Sequence, residues 1–168
     1  MDKKPFIACI DFDHCIANTN PDFSIGGLRE GADIVIRKWF DQGIYLIINT
    51  CRGKDTPTGF AAEKFLFEHK IPYHQFYEQS VRSRESWGDE VGRKLFGNVY
   101  IDDTNLEVQA AGGSSKMYNW KTIDRMVQRV IALNQNKFNV QPDYTDCLSK
   151  ADLDRIWDAI YNTENNVE

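Results

Sequence analysis

Three short apolar runs constrain the fold of this 168-residue chain more than any other feature. Residues 6–10 and 44–48 are apolar at successive positions, and residues 99–101, after Asn98, form a third, shorter run. Strands that are buried on both faces are typical of a parallel sheet covered by helices, because a sheet with one wet face alternates apolar and polar residues. The runs therefore predict an α/β fold with a mostly parallel sheet.

Helical patterns separate these runs. Residues 32–40 place apolar side chains at helical spacing, and Gly43 stands where a helix would end. Strand, helix and strand in this order predict a right-handed βαβ unit. Further helices are predicted at 59–69, 106–111 and 123–133, a helix or loop at 83–94, and strands at 73–77 and 116–120. We expect a three-layer sandwich with a doubly wound, Rossmann-like sheet.

This predicted domain covers residues 1–133. The segment 134–146 is polar and contains one proline, which indicates a linker. Ser149 and Asp152 then suit the N-terminus of a last helix. Residues 134–168 are therefore predicted as a linker and a C-terminal helical extension, and the pattern leaves open whether that helix packs on the sheet edge or forms a homodimer.

The charge and the apolar content exclude several classes of function. A net charge of -5 and a pI near 5.2 argue against binding to nucleic acid or to anionic membranes. No run approaches the roughly 20 apolar residues that cross a bilayer, and the N-terminus lacks the features of a signal peptide. The four cysteines contain no CxxC pair. We expect a cytoplasmic protein with reduced thiols.

Polar side chains follow three of the predicted strands, at the edge where an open parallel sheet binds its ligands. Asp11 and Asp13 come after the first strand, Thr50 after the second, and Asp102 and Asp103 after the fourth. If these strands are neighbours, four carboxylates meet one hydroxyl, and their repulsion calls for a cation. Carboxylate oxygens favour Mg²⁺, which often shares its site with phosphate.

Two carboxylates two residues apart suit two chemical roles. Asp11 is positioned to act as the nucleophile that forms an aspartyl-phosphate, and Asp13 as the acid that protonates the leaving oxygen and later activates water. Thr50 can donate a hydrogen bond to a phosphoryl oxygen, and a lysine can offset the charge that develops during transfer. This pattern predicts phosphoryl-transfer chemistry.

At these residues the sequence resembles the haloacid dehalogenase-like hydrolase superfamily. The resemblance covers residues 6–103 in the family's order, and its pieces are Asp11-Phe12-Asp13 after an apolar strand, Thr50 after the second strand, Lys94, and Asp102-Asp103 after the fourth strand. Each piece alone is weakly specific, whereas the ordered set is strongly so. The pieces Thr50-Cys51-Arg52-Gly53 and Tyr100-Ile101-Asp102-Asp103 look like the short members that lack a cap domain.

The resemblance implies a role for each matched residue. Asp11 would be the nucleophile and a magnesium ligand, and Asp13 the acid/base, whose backbone carbonyl also binds the metal. Thr50 would bind phosphate and Lys94 would neutralise it. Asp102, with Asp103 beside it, would complete the magnesium shell. An acid at position 13 resembles the phosphatases of the superfamily and not its dehalogenases.

Some assignments stay open at the level of sequence. His14 and Cys15 depart from the family's pattern, and His14 is either a substrate contact or a loop histidine. Arg52 is either a substrate contact or a surface residue, and Arg93 competes with Lys94 as the phosphate-site cation. Phe60, Phe65 and Phe67 are predicted as core residues.

The activity expected from this set is magnesium-dependent hydrolysis of phosphomonoesters through an aspartyl-phosphate. The substrate would be a phosphorylated small molecule or a larger phosphoester, because a site without a cap is open. Two alternatives remain: a regulatory module that binds phosphate or metal without turnover, and a phosphatase of nucleotides or nucleic-acid ends, against which the acidic pI argues.

Overall fold

The structure is a computed structural model that describes residues 3–78, 95–113 and 119–143. Its strands are β1 (Ile7–Ile10), β2 (Ala17–Thr19), β3 (Ile25–Leu28), β4 (Tyr45–Ile48), β5 (Gln75–Phe76) and β6 (Val99–Ile101). Its helices are α1 (Ala32–Asp41), α2 (Pro57–Glu68), α3 (Leu106–Ala110) and α4 (Trp120–Leu133). The helix predicted at 83–94 and the C-terminal helix lie outside the described residues.

Four strands form a parallel sheet in the order β5-β4-β1-β6. Ile10 in the central strand β1 is in register with Ile48 of β4 on one side and with Ile101 of β6 on the other. The chain adds β4 and β5 on one side of β1 and then places β6 on the opposite side. This reversal is the topological switch point of an open α/β sheet, where ligands bind outside the carboxyl ends of the strands.

The sheet buries both faces, which explains the uninterrupted apolar runs. Ala8 and Ile10 join the larger core, to which α1, α2 and α4 contribute buried side chains. Ile7 and Cys9 point to the opposite face and pack in a smaller cluster with Ile47 and Leu95. The prediction of an α/β, Rossmann-like fold with a mostly parallel sheet and flanking helices is thus confirmed.

Three parts of the chain differ from their sequence-based predictions. The region 17–28, for which no strand was predicted, forms an antiparallel hairpin of β2 and β3. Residues 134–143 pack on the domain, because Phe138 and Val140 are buried and residue 138 bridges to Lys4. Of the strand predicted at 116–120, residues 116–118 lie outside the described residues, and Trp120 begins α4. Within the described residues, none of the helices is long and apolar enough to span a membrane.

A buried carboxylate ties α1 to α4. Asp124, with 4% of its surface exposed, accepts hydrogen bonds from Trp39 Nε1 at 2.7 Å, Lys38 Nζ at 2.9 Å and Gln128 Nε2 at 3.1 Å. These hydrogen bonds replace the water contacts that the polar groups lose on burial. Without the Asp124 carboxylate, the indole N–H of Trp39 and the largely buried ammonium of Lys38 would each lose that acceptor.

We expect Asp124→Ala to lower the free energy of unfolding by about 3 kcal/mol, because Lys38 would lose the carboxylate that lies 2.9 Å from its ammonium group. The matched control is Asp33→Ala, which breaks a partly exposed pair with Arg37 within α1 and should cost about 1 kcal/mol at most. Urea unfolding of both variants measures the difference, and equal losses would contradict the role assigned to Asp124.

Candidate active site

Backbone hydrogen bonds hold the carboxyl ends of three strands side by side. The N–H of Asp11, the residue after β1, donates to the carbonyl of Ile101 at 2.8 Å. The N–H of Asn49, the residue after β4, donates to the carbonyl of Ile10 at 2.7 Å. The residues that follow β1, β4 and β6 therefore occur at one edge of the sheet, next to the switch point, as the sequence predicted.

Asp11, Cys15 and Asp103 form one cluster at this edge. One ligand atom from each lies within 4.8 Å of the other two. Burial, followed by the charges of Asp11, Asp103 and Asp102, raises the pKa of the Cys15 thiol well above its usual range. Cys15 is therefore a neutral thiol here, and the two carboxylates are the groups that suit a hard cation.

The environment of Asp11 disfavours its charged form when no cation is present. Burial, followed by the charges of Asp102, Asp13 and Asp103, raises the pKa of Asp11 to about 8, although a hydrogen bond from the Phe12 backbone opposes the shift. A divalent cation would offset that repulsion. The donor set of clustered carboxylate oxygens therefore fits Mg²⁺, with Asp11 and Asp103 as the side chains that would hold it.

The two acids after β6 differ in their surroundings. Asp103 is buried, and its backbone carbonyl accepts a hydrogen bond from Gln109 Nε2 at 2.8 Å. Asp102 is half-buried, and its Oδ1 accepts hydrogen bonds from both the backbone N–H and the hydroxyl of Thr104. The resemblance assigned the metal first to Asp102, whereas the structure groups Asp103 with Asp11; the charge of Asp102 still acts on Asp11.

Asp13 is held by an arginine and a threonine. Arg52 donates from Nε to both carboxylate oxygens, at 3.1 and 3.0 Å, and from Nη2 to Oδ1 at 2.7 Å. The Thr19 hydroxyl donates to the same Oδ1 at 2.5 Å. Burial alone would raise the pKa of Asp13, but the hydrogen bonds from Arg52 and Thr19 and the charge of Arg52 hold it below its usual value.

The Thr50 hydroxyl lies between the Asp13 carboxylate and the backbone N–H of Arg52. Its side chain is buried, its Oγ1 accepts the N–H of Arg52 at 3.2 Å, and the same hydroxyl is 3.5 Å from Oδ2 of Asp13. The long distance to Asp13 leaves the hydroxyl proton weakly engaged, so it can turn to a ligand oxygen. The Thr50 hydroxyl therefore lies next to Asp13 at the carboxyl edge of the sheet.

The outcomes differ among the other residues that the sequence analysis singled out. His14 adopts a left-handed backbone conformation, with φ of 59°, and its carbonyl accepts a hydrogen bond from Arg29 Nη1 at 2.7 Å. Arg52 is buried, so the surface role considered for it is wrong. Phe65 is in the core as predicted, whereas Phe60 and Phe67 are exposed, so their core prediction was wrong. Lys94 and Arg93 lie outside the described residues.

Thr19 and Cys15 are members of the site that sequence reasoning did not assign. Thr19 reaches Asp13 because Ala17, the first residue of β2, forms a backbone bridge with Asp13. No local pattern in residues 17–28 signals the hairpin that β2 forms with β3. Cys15 occupies the turn that follows Asp13, so its proximity to Asp11 was accessible from spacing alone.

The raised pKa of Asp11 makes the stability of the metal-free protein depend on pH. Between about pH 4, where an unfolded aspartate ionises, and about pH 8, the unfolded state releases a proton that the folded state retains. Folding stability therefore falls as the pH rises, by at most about 1.4 kcal/mol per pH unit for one proton.

We expect the free energy of unfolding in chelator to drop less between pH 5 and pH 8 in Asp11→Asn than in the original protein. Urea titrations at both pH values measure this difference, and Asp41→Asn, on the exposed end of α1, serves as the control. Identical pH dependences in all three proteins would mean that the carboxyl of Asp11 ionises normally.

Comparison with known proteins supports the fold. A scan against family models and a search of curated proteins each gave no match. A search of solved structures found similarity to a conserved protein coded by a locus of Bacteroides thetaiotaomicron, with a TM-score of 0.60 and 18% identity over 75% of this chain and 92% of that chain. At this identity the likeness concerns the fold alone, and the chain has an α/β, Rossmann-like fold.

Proposed function

We propose that this protein is a magnesium-dependent hydrolase of phosphomonoesters that uses Asp11 as its nucleophile. The observation that carries the proposal is the meeting of Asp11 and Asp103 at the switch point of the sheet, where their ligand atoms lie within 4.8 Å. Thr50 and the Asp13–Arg52 pair border the same edge. Clustered acids beside a hydroxyl and a guanidinium suit a metal-assisted phosphoryl transfer.

The side chains divide the reaction into two displacements. A carboxylate oxygen of Asp11 attacks phosphorus, the bond to the ester oxygen breaks, and that oxygen takes a proton from Asp13. Water then attacks the aspartyl-phosphate, gives a proton back to Asp13, and releases inorganic phosphate with Asp11 restored. Thr50 donates a hydrogen bond to a phosphoryl oxygen throughout. When bound by Asp11 and Asp103, Mg²⁺ supplies positive charge that offsets the charge of the transferred group.

The chain inserts little between its nucleophile and its phosphate-binding residue. Between Asp13 and Thr50 the structure has only the hairpin β2–β3, helix α1 and strand β4. This part of the chain therefore holds no cap domain, which is compatible with either a small phosphorylated substrate or a larger phosphoester.

A cytoplasmic location belongs to the same proposal, because the cysteines of the described segments are free thiols.

The test is phosphate release from a panel of phosphomonoesters that includes sugar phosphates, nucleotides and phosphorylated peptides. The rate should require Mg²⁺, disappear with chelator, and return when Mg²⁺ is restored in excess. A purified, correctly folded sample that releases no phosphate from any member of the panel would remove the hydrolase proposal.

One observation favours a second candidate, a module that binds phosphate and metal without turnover. In this structure Asp13 is an ionised partner of Arg52 and is not poised to donate a proton. Calorimetry with Mg²⁺ and with inorganic phosphate separates the two candidates. Binding of both ligands together with silence across the panel supports the module, whereas turnover supports the hydrolase.

A further inference from the structure

Arg52 joins three parts of the site through one side chain. Its Nε and Nη2 bind Asp13 after β1, its own position is in the turn after β4, and Nη2 also donates to the carbonyl of Phe23 at 3.0 Å. Phe23 is at the tip of the hairpin β2–β3, where its backbone is left-handed with φ of 62°. The guanidinium therefore fixes both the acid/base candidate and the hairpin tip.

The contacts described so far use only part of this guanidinium. Within the segments that the structure describes, Nη1 of Arg52 makes no hydrogen bond. The backbone N–H of Arg52 is bound to Thr50 Oγ1, which places the arginine directly beside the proposed phosphate-binding hydroxyl. Arg52 Nε and the Thr50 hydroxyl also approach the same oxygen of Asp13, Oδ2, at 3.0 and 3.5 Å, so a phosphoryl group at Thr50 would lie next to the guanidinium.

Arginine binds phosphate and carboxylate with the same pair of parallel donors, so the two anions compete for one guanidinium. A phosphomonoester dianion carries more charge than the single carboxylate of Asp13. Asp13 is also the less enclosed partner, since its side chain is 24% exposed against 7% for Arg52. The pair can therefore open on the Asp13 side while the arginine stays in place.

We propose that Arg52 exchanges Asp13 for the phosphoryl group of the substrate, and that this exchange frees both Asp13 and the tip of the hairpin. The inference rests on the proposed function, because it takes Thr50 as the phosphate-binding residue. Its consequence is an order of events: Asp13 stays bound to Arg52 in the free enzyme and becomes available as an acid/base only when a phosphoryl group has arrived. Arg52 is then a substrate-binding residue that also positions Asp13.

The test is a titration of the full-length, isotope-labelled protein with inorganic phosphate in chelator, followed by NMR. The signals to follow are the Nε–H of Arg52, assigned by its loss in Arg52→Lys, and the backbone amides of Phe23 and Ser24. We expect all three to shift with one dissociation constant. In Arg52→Lys the two hairpin amides should no longer respond, and phosphate should bind about tenfold more weakly, because lysine lacks the paired donors.

Arg37→Lys is the matched control, since Arg37 forms a partly exposed pair with Asp33 within α1 and should leave the hairpin response unchanged. Phosphate that shifts the Thr50 amide but leaves the Arg52 Nε–H and the hairpin amides in place would overturn the exchange, and so would a titration with no shift at all. The titration of the original protein decides this even if Arg52→Lys does not fold. An intact exchange without turnover would instead remove the hydrolase proposal.

Discussion

Asp11→Asn is expected to reduce kcat/KM for phosphomonoester hydrolysis by roughly 10⁴-fold or more, the scale on which an enzyme loses rate with its nucleophile. The amide cannot form the aspartyl-phosphate, and it also removes one of the two carboxylates that would hold Mg²⁺. The variant should fold, because asparagine relieves the repulsion that Asp102, Asp13 and Asp103 exert on the buried carboxylate. Steady-state phosphate release at saturating Mg²⁺ measures the loss.

The matched control is Asp41→Asn, an exposed acid at the end of α1, which should retain full activity. Acid quenching during turnover should leave one phosphoryl group on the original protein and none on Asp11→Asn, as mass spectrometry would show. A variant that hydrolyses the ester at the original rate would mean that Asp11 is not the nucleophile, and that any activity comes from another group or from a contaminant.

The sheet was predictable because burial on both faces leaves a distinctive pattern. The apolar run 44–48 became β4, and the helical spacing at 32–40 became α1 with only one further residue. The hairpin was not predictable in the same way. Its second strand contains Gly26 and Gly27, which have no side chain to show a period, and it is positioned by Ile25 and Leu28 packing against the main core.

The acids of the site were predictable for a topological reason. Parallel strands end at the same edge of a sheet, so acids that follow β1 and β6 must meet once those strands are neighbours. The partner of Asp13 was not predictable, because Arg52 reaches it through the turn after Thr50, across 39 residues of sequence. Which of the two acids after β6 approaches Asp11 depends on the turn that follows β6, where the Thr104 N–H donates a hydrogen bond to Asp102.

Asp13→Asn tests the acid/base role through its dependence on the leaving group. A weakly basic aryl oxygen leaves without a proton, whereas an alkyl oxygen needs one. We expect kcat for an alkyl phosphate to fall by roughly 10²- to 10⁴-fold, the usual contribution of a positioned proton donor, and kcat for an aryl phosphate to fall far less. Phosphate release from a nitrophenyl ester and from an alkyl ester, compared within one preparation, measures this difference.

The substitution also changes the ion pair, which must be separated from the chemical effect. Asparagine leaves the buried Arg52 without its anion, so Asp13→Asn should be less stable, by an amount of about 1–3 kcal/mol. Rates are therefore compared well below the unfolding temperature, with Asp22→Asn in the same hairpin as the control, because that exposed acid accepts hydrogen bonds from Ser24 and does not contact Arg52 in the described segments. Equal losses on both esters would show that Asp13 serves to position Arg52 and the hairpin and does not transfer the proton.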